Sequence, residues 1–150
     1  MFWVLLTIFF ALHNPMIDFT LRKYRELLAI LQKMGYQFLT FEQYCTHSHY
    51  LLGDTSSHPQ KYIILRHDVD LKAPNSLATA QIEHELGINA SYYFRVVPQS
   101  NQPEVIRAIA ALGHEIGYHY EDMALADGDV DAAYVHFQKQ LAYFRSFYPV

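Results

Sequence analysis

The sequence predicts an α/β domain built on a parallel sheet, and three observations indicate this fold class. From residue 61 onward, short segments rich in β-branched and aromatic residues alternate with longer segments of helical periodicity. Three strand–helix units in succession are typical of right-handed crossovers, which make neighbouring strands parallel. Hydrophobic residues form 51% of the 150-residue chain, which is enough for the core of one domain.

The first fifteen residues are predicted to be an N-terminal extension of a domain that spans residues 16–150. Residues 2–12 form an apolar run that is shorter than the ~20 residues of a transmembrane helix. The run also lacks the basic leader and the cleavage site of a signal peptide. Three interpretations stay open: a misassigned start, a degenerate signal or short anchor, and a buried N-terminal element.

Composition and charge exclude some functions and favour one compartment. The net charge of −4 leaves no basic patch, so a nucleic-acid partner is not expected. The single cysteine, Cys45, rules out an internal disulfide and favours a reducing compartment. A cytoplasmic location is therefore expected, whereas a genuine signal or anchor in residues 1–15 would make the protein exported or membrane-associated.

The first helix of the domain is predicted to begin after Thr20, a favourable N-cap, and to end at Gly35. Residues 40–44 are predicted to be a short turn or helix that leads into His47 and His49. This His-x-His pair could bind a metal, but the polar loop that follows favours a solvated location. The apolar residues of the first helix recur at helical spacing and are expected to pack on a sheet: Leu21, Tyr24, Leu27, Leu28, Leu31 and Met34.

The alternation that follows predicts three strands and three helices. Gly87 and Gly113 follow the first two of these helices, and Pro103 stands in the first turn of the second. The last helix has one apolar stripe, formed by Ala133, Phe137, Leu141 and Phe144. The strands are expected at residues 61–67, 90–97 and 114–119, and the helices at residues 75–86, 103–112 and 130–147.

Two acidic residues, Asp68 and Asp70, follow the first of these strands, shortly after its apolar residues 62–65. Unpaired carboxylates are costly to bury, whereas strand ends in α/β folds gather ligand and metal groups. Side chains alternate along a strand, so the two carboxylates would share a face and repel each other. A cation held by one, with the other free as a base, would relieve this repulsion. The structural alternative is that the acids cap the next helix or pair with Arg66.

The third strand places Glu115, Gly117 and His119 on one face, with His119 at its C-terminal end. The C-terminal ends of parallel strands meet at one edge, so His119 is expected near the two aspartates. His114 lies at the opposite end and is expected to be structural. Gly117, one step below His119, would leave room for a substrate or a metal. Asp70 and His119 are therefore candidate ligands of a divalent metal, for which zinc is favoured.

Three motifs occur in this part of the chain: strand-Asp-x-Asp at residues 66–70, Ala-Ser-Tyr-Tyr-Phe at residues 90–94, and Gly-His-Glu-Ile-Gly-Tyr-His at residues 113–119. In combination they resemble the polysaccharide deacetylase superfamily, also called NodB-homology or carbohydrate esterase family 4. The resemblance covers about residues 60–150. It implies a distorted parallel (β/α) barrel and the metal-dependent removal of acetyl groups from a carbohydrate substrate.

The resemblance also implies roles for particular residues. It makes Asp68 the catalytic base and makes Asp70 and His119 metal ligands. Where the family has a second metal-binding His, four residues after His119, this chain has Met123. Glu121 or Asp122 is a candidate substitute, and a later His-bearing strand is the alternative source of this ligand. Arg66 and Arg95 are further candidate residues of the site.

The later motifs of the superfamily do not occur up to residue 150, so the chain resembles the N-terminal half of such a barrel. The last strand is then expected to have an unpaired edge. An inactive fragment or carbohydrate-binding remnant is the alternative to an active deacetylase. A short membrane-anchored protein is the third possibility.

Overall fold

A computed structural model describes residues 20–51 and 61–150, with side-chain positions from residues 20–46 and 61–150. The predictions for residues 1–15, and those for the side chains of His47 and His49, lie outside this description. Among the described residues, no helix combines the length and the hydrophobicity that crossing a bilayer requires.

The described residues form helices and strands in close alternation. The helices are α1 (Leu21–Lys33), α2 (Phe41–Leu51), α3 (Ala73–Glu85), α4 (Pro103–Ala111), α5 (Asp122–Leu125) and α6 (Val130–Arg145). The strands are β1 (Tyr36–Leu39), β2 (Lys61–Ile64), β3 (Arg66–Val69), β4 (Ser91–Phe94) and β5 (Glu115–Tyr118).

The strands form two parallel sheets, which confirms the α/β class. One sheet pairs β1 with β2, and the other has the order β3-β4-β5. Each strand of the second sheet thus lies next to the strand that follows it in sequence, as the strand–helix repeat predicts. Neither sheet closes on itself within the described residues, so the barrel stays a prediction. Strand β5 is the edge of its sheet among these residues, next to a cavity of about 870 Å³.

The prediction of one strand over residues 61–67 is wrong, because the segment divides at Leu65 into β2 and β3. The first part pairs with β1 and the second with β4. The carbonyl of Leu65 accepts a hydrogen bond from Ser91 N at 2.9 Å. The Leu65 side chain packs against both apolar clusters of the protein. The residues of one apolar run therefore pair in two different sheets.

Helix α6 packs as its apolar stripe predicts. Ala133 and Phe144 are buried, while Phe137 and Leu141 are partly buried and pack against the main core. This core lies between the three-stranded sheet and helices α3, α4 and α6. Its members come from all of these elements and include Tyr92, Phe94, Ile106, Ile109, Ile116 and Tyr118.

Helix α1 is covered less than its apolar stripe predicts. Thr20 caps it as expected, since its hydroxyl accepts from Lys23 N at 3.2 Å. Leu28 is buried, but Leu21, Leu27 and Met34 are about half exposed. The helix contacts α3 and β1, so only one side of the stripe meets a partner among the described residues.

A buried carboxylate, Glu83 of α3, links α1 to the three-stranded sheet behind β3. It accepts hydrogen bonds from the hydroxyl groups of Tyr24 and Tyr92, the latter at 2.7 Å, and from His67 Nε2 at 2.7 Å. Burial by itself raises the pKa of Glu83, but these hydrogen bonds, led by that of His67, outweigh it and lower the pKa below its usual value. The His67 ring also stacks on that of Tyr92 with centroids 4.4 Å apart.

Candidate metal and catalytic site

The site lies at the C-terminal ends of β3 and β5, on the face opposite Glu83. Strand pairing puts Asp68, Tyr93 and Gly117 in one row across the sheet. Asp70 and His119 each follow this row by two residues. Because the strands are parallel, both side chains reach the same edge of the sheet, as the sequence predicts.

Three potential metal ligands meet at this edge: Asp70, His119 and Glu121. One ligand atom from each lies within 4.8 Å of the other two. His119 Nε2 is 3.9 Å from Asp70 Oδ1, which is too long for a hydrogen bond. Oxygen and nitrogen ligands of zinc lie about 2.0–2.2 Å from the ion, so two ligands of one ion are at most roughly 4.4 Å apart. Small side-chain rotations would bring all three into that range.

Asp68 lies beside this group and is held by Arg66. Arg66 Nε donates to Asp68 Oδ1 at 2.8 Å, and this bond raises the pKa of Arg66. The other carboxylate oxygen, Oδ2, is 3.6 Å from His119 Nε2. The alternative that these acids cap the next helix or pair with Arg66 is thus confirmed in part, since Asp68 pairs with Arg66. Neither aspartate caps α3, whose N-cap is Lys72 and has no side-chain cap.

Gly117 makes room for a side chain of the protein rather than for a ligand. A Cβ atom at Gly117 would lie 2.4 Å from Tyr93 Cε1, so the Tyr93 ring occupies this space. The guanidinium of Arg66 lies over the same ring, 4.4 Å from its centroid. The expectation of a free space at Gly117 is therefore wrong. The glycine instead allows the Tyr93 ring to lie beside β5 with the Arg66 guanidinium over it.

The structure distinguishes Glu121 from Asp122 as the third candidate ligand. Glu121 is partly buried, forms an ion pair with Arg95 and belongs to the group with His119. Asp122 is buried and lies apart from that group. Its carboxylate accepts from Tyr118 Oη at 3.2 Å and from Nδ1 of His136. Arg95 is therefore placed to orient a ligand, while Asp122 orients a histidine.

The donor set fits a divalent cation, because one imidazole and two carboxylates suit first-row metals. One supporting feature is missing among the described residues. His119 Nδ1 is buried without a hydrogen-bond partner, whereas metal-ligating histidines usually donate this second N–H to a carboxylate or carbonyl. Among the described residues, packing is therefore what orients the His119 ring.

His114 is a structural residue, as its position at the N-terminal end of β5 predicts. Ala90 N donates to His114 Nδ1 at 3.1 Å, and Nε2 lies 3.0 Å from Ala80 O. The ring is buried, and burial lowers the pKa of His114. Both ring nitrogens are thus used to join α3 to the sheet.

Two residues of the described chain have structural contacts that the sequence did not indicate. Glu115 accepts from Phe41 N at 2.9 Å and from the hydroxyl of Ser91, so it satisfies the N-terminus of α2. His136, on α6, contacts Asp122 through Nδ1. Both contacts join residues that are distant in sequence, so no local sequence pattern predicts them.

Comparison of the chain with models of protein families, with curated proteins and with solved structures finds no match. The relation to the deacetylases thus stays a resemblance of motifs.

Proposed function

We propose that this protein is a divalent-metal-dependent hydrolase that removes N- or O-acetyl groups from a carbohydrate. The observation that supports the proposal is the position of Asp68 next to the group of Asp70, His119 and Glu121. A base beside a potential cation site is the arrangement that hydrolysis by activated water requires. The motif resemblance supplies the substrate class.

Asp70, His119 and Glu121 would hold the cation, and zinc suits this mixture of nitrogen and oxygen donors. When bound there, the cation polarises an acetyl carbonyl and lowers the pKa of water. The ion pair with Arg95 keeps Glu121 directed toward the other two ligands. Asp70 is the most exposed of the three, so it faces the side from which a substrate arrives.

Asp68 accepts the proton of the attacking water. Its Oδ1 is already occupied by Arg66 Nε, whereas Oδ2 points toward His119 and is the free acceptor. Arg66 is itself supported by the Tyr93 ring. The pair therefore fixes the carboxylate without removing its basic oxygen. The water oxygen forms a bond to the acetyl carbon, the bond from that carbon to the sugar nitrogen or oxygen breaks, the sugar atom takes up a proton, and acetate is released.

The test is acetate release from acetylated amino-sugar oligomers by the full chain with added zinc. Asp68→Asn is expected to lower turnover by about 10²–10⁴-fold while zinc binding persists, because a base speeds proton transfer without holding the ion. Asp131→Asn, an exposed acid on α6, is the matched control. No acetate release by the wild-type protein would contradict the proposal and favour a non-catalytic carbohydrate-binding role.

A further inference from the structure

A cavity of about 380 Å³ lies beside the candidate metal site, between β3 and the first turns of α3. Asp68, the proposed base, and Asp70, a candidate metal ligand, form part of its wall. Its volume lies within the range of about 300–1,000 Å³ that is typical of small-molecule sites. A molecule in this cavity would therefore lie next to the proposed base. The other residues of the wall are Arg66, His67, Val69, Lys72, Asn75, Ser76 and Thr79.

Three other cavities of the described chain are less suited to hold a substrate at this site. The cavity of about 160 Å³ has His119 and Glu121 in its wall, but its volume is below the range of small-molecule sites. The cavity of about 870 Å³ beside β5 and one of about 400 Å³ beside α5 and α6 contain neither these two residues nor Asp68 or Asp70. Of these four cavities, the one at β3 thus combines sufficient volume with contact to the site.

The wall of the cavity at β3 carries hydrogen-bond donors that no other described residue uses. Arg66 Nε donates to Asp68, which leaves the two terminal nitrogens of the guanidinium for a ligand. Lys72 and Asn75 are exposed, and neither side chain forms a hydrogen bond or an ion pair within the described residues. The cavity therefore offers a guanidinium, an ammonium and an amide as donors. Such donors bind negatively charged oxygen atoms more strongly than neutral ones.

The charges in this wall favour an anion once the cation site is filled. Arg66 and Lys72 are positively charged, whereas Asp68 and Asp70 are negatively charged. The ion pair at 2.8 Å between Arg66 and Asp68 offsets two of these charges. Asp70 belongs to the group that is proposed to hold the cation, which offsets its charge as well. The charge of Lys72 then has no partner among the described residues, and an anionic group of a ligand would complement it.

The protein interior holds another part of the wall in place. His67 is hydrogen-bonded to the buried Glu83 at 2.7 Å, and its ring stacks on that of Tyr92. The Ser76 hydroxyl donates to Ala73 O at 2.6 Å, so its oxygen remains an acceptor for a hydroxyl group of a ligand. The cavity thus combines exposed cationic donors with a neutral acceptor, as recognition of an acidic sugar requires.

We propose that this cavity binds a sugar residue with an anionic group, a carboxylate or a phosphate, so that the substrate is an acidic acetylated carbohydrate. The inference rests on the proposed hydrolase function, because it places the acetyl group at the metal-ligand group and the sugar ring in the cavity. Lys72 and Arg66 bind the anionic oxygens, and Asn75 donates its amide N–H to an oxygen of the sugar. Lys72 is therefore a specificity-determining residue that contacts the substrate without taking part in bond breaking.

The experiment measures acetate release by the full chain with zinc from three methyl glycosides of N-acetylglucosamine. They differ only in the group at the sixth carbon, which is a hydroxyl, a carboxylate or a phosphate. One of the acidic substrates is expected to have a kcat/KM at least about tenfold above that of the neutral one, because hydrogen bonds to charged groups contribute more than neutral ones. The preferred substrate identifies the anionic group. Lys72→Gln should lower this preference about tenfold, whereas Lys139→Gln, an exposed lysine of α6 outside the cavity, should retain it.

A binding measurement gives a readout that does not depend on hydrolysis. Methyl glucuronide and methyl glucoside 6-phosphate have no acetyl group, and calorimetry in the presence of zinc should show that one of them binds at least about tenfold more tightly than methyl glucoside. Lys72→Gln should remove this difference. Equal kcat/KM for neutral and acidic substrates in the wild-type protein, or a preference that persists in Lys72→Gln, would overturn the anionic subsite and leave the hydrolase proposal standing. Binding of the acidic sugar that depends on Lys72, without acetate release from any substrate, would contradict the hydrolase proposal alone.

Discussion

Replacing Glu83 by alanine is expected to destabilise the protein by about 3–5 kcal/mol, because it removes the acceptor of three buried or partly buried donors. Glu83 is fully buried. Tyr24, His67 and Tyr92 donate to its carboxylate from α1, β3 and β4. Alanine would leave these three groups facing one another without an acceptor.

The magnitude follows from the number of donors and their exposure. A buried group that loses its partner costs about 1–3 kcal/mol, so three such groups give roughly 3–9 kcal/mol. The lower part of this range applies here, because Tyr24 and His67 are only partly buried and can turn toward water. Tyr92 is 0% exposed and has Thr79 Oγ1 as its other partner, at 3.1 Å. It should bear most of the loss.

Urea unfolding followed by circular dichroism measures this effect. Glu83→Gln keeps an acceptor oxygen and should lose less stability than Glu83→Ala. Glu85→Ala is the matched control: Glu85 is exposed on the same helix in a surface ion pair with Arg25, so a change below about 1 kcal/mol is expected. A loss below about 1 kcal/mol for Glu83→Ala would refute the reasoning. Because the folded-state pKa of Glu83 is lowered, its contribution should be present above about pH 4.5 and disappear as the pH falls further.

Two further predictions concern the sheet. Gly117→Ala should displace the Tyr93 ring and destabilise the protein by about 1–3 kcal/mol in urea unfolding. The additional change Tyr93→Ala should remove this loss of stability. A Gly117→Ala variant with an unchanged urea midpoint would contradict the packing argument. Stability should also decrease as the pH falls from about 7 to 5, since burial lowers the pKa of His114 below 6.5 and the unfolded chain binds the proton first. His114→Asn should flatten this pH dependence and His84→Gln should not, and equal slopes in all three proteins would show that His114 is not responsible.

The local elements of the fold were predictable because their signals are local. Thr20 begins α1, and Pro103 opens α4 at the position the sequence indicates. The stripe of α6 also meets the core as its spacing predicts. The division at Leu65 was not predictable, because an uninterrupted apolar run has the same sequence pattern whether its residues pair in one sheet or in two. Strand β1, which provides the partner of β2, is short and was not identified.

The candidate site was predictable to the level of strand ends. Parallel strands require Asp70 and His119 to reach one edge, and they do so at 3.9 Å. The choice of Glu121 over Asp122 depends on Arg95 and His136, which are distant in sequence. The space at Gly117 was misjudged for the same reason, since the occupying ring belongs to another strand.

The proposed hydrolysis depends most on a cation site formed by Asp70, His119 and Glu121. Zinc titration by calorimetry tests it directly in the full chain. His47 and His49, whose side chains lie outside the described residues, are replaced by alanine in every protein so that this His-x-His pair does not contribute.

In that background we expect one zinc equivalent to bind. Asp70→Asn, His119→Gln and Glu121→Gln should each weaken binding at least about tenfold, because even the loss of a ligand's supporting partner costs about 10–100-fold. Asp122→Asn, the neighbouring acid, should leave zinc binding within about 3-fold of the starting protein. Absence of zinc binding would contradict this cation site. Zinc binding that is unchanged in the three ligand variants and abolished in Asp122→Asn would contradict it as well.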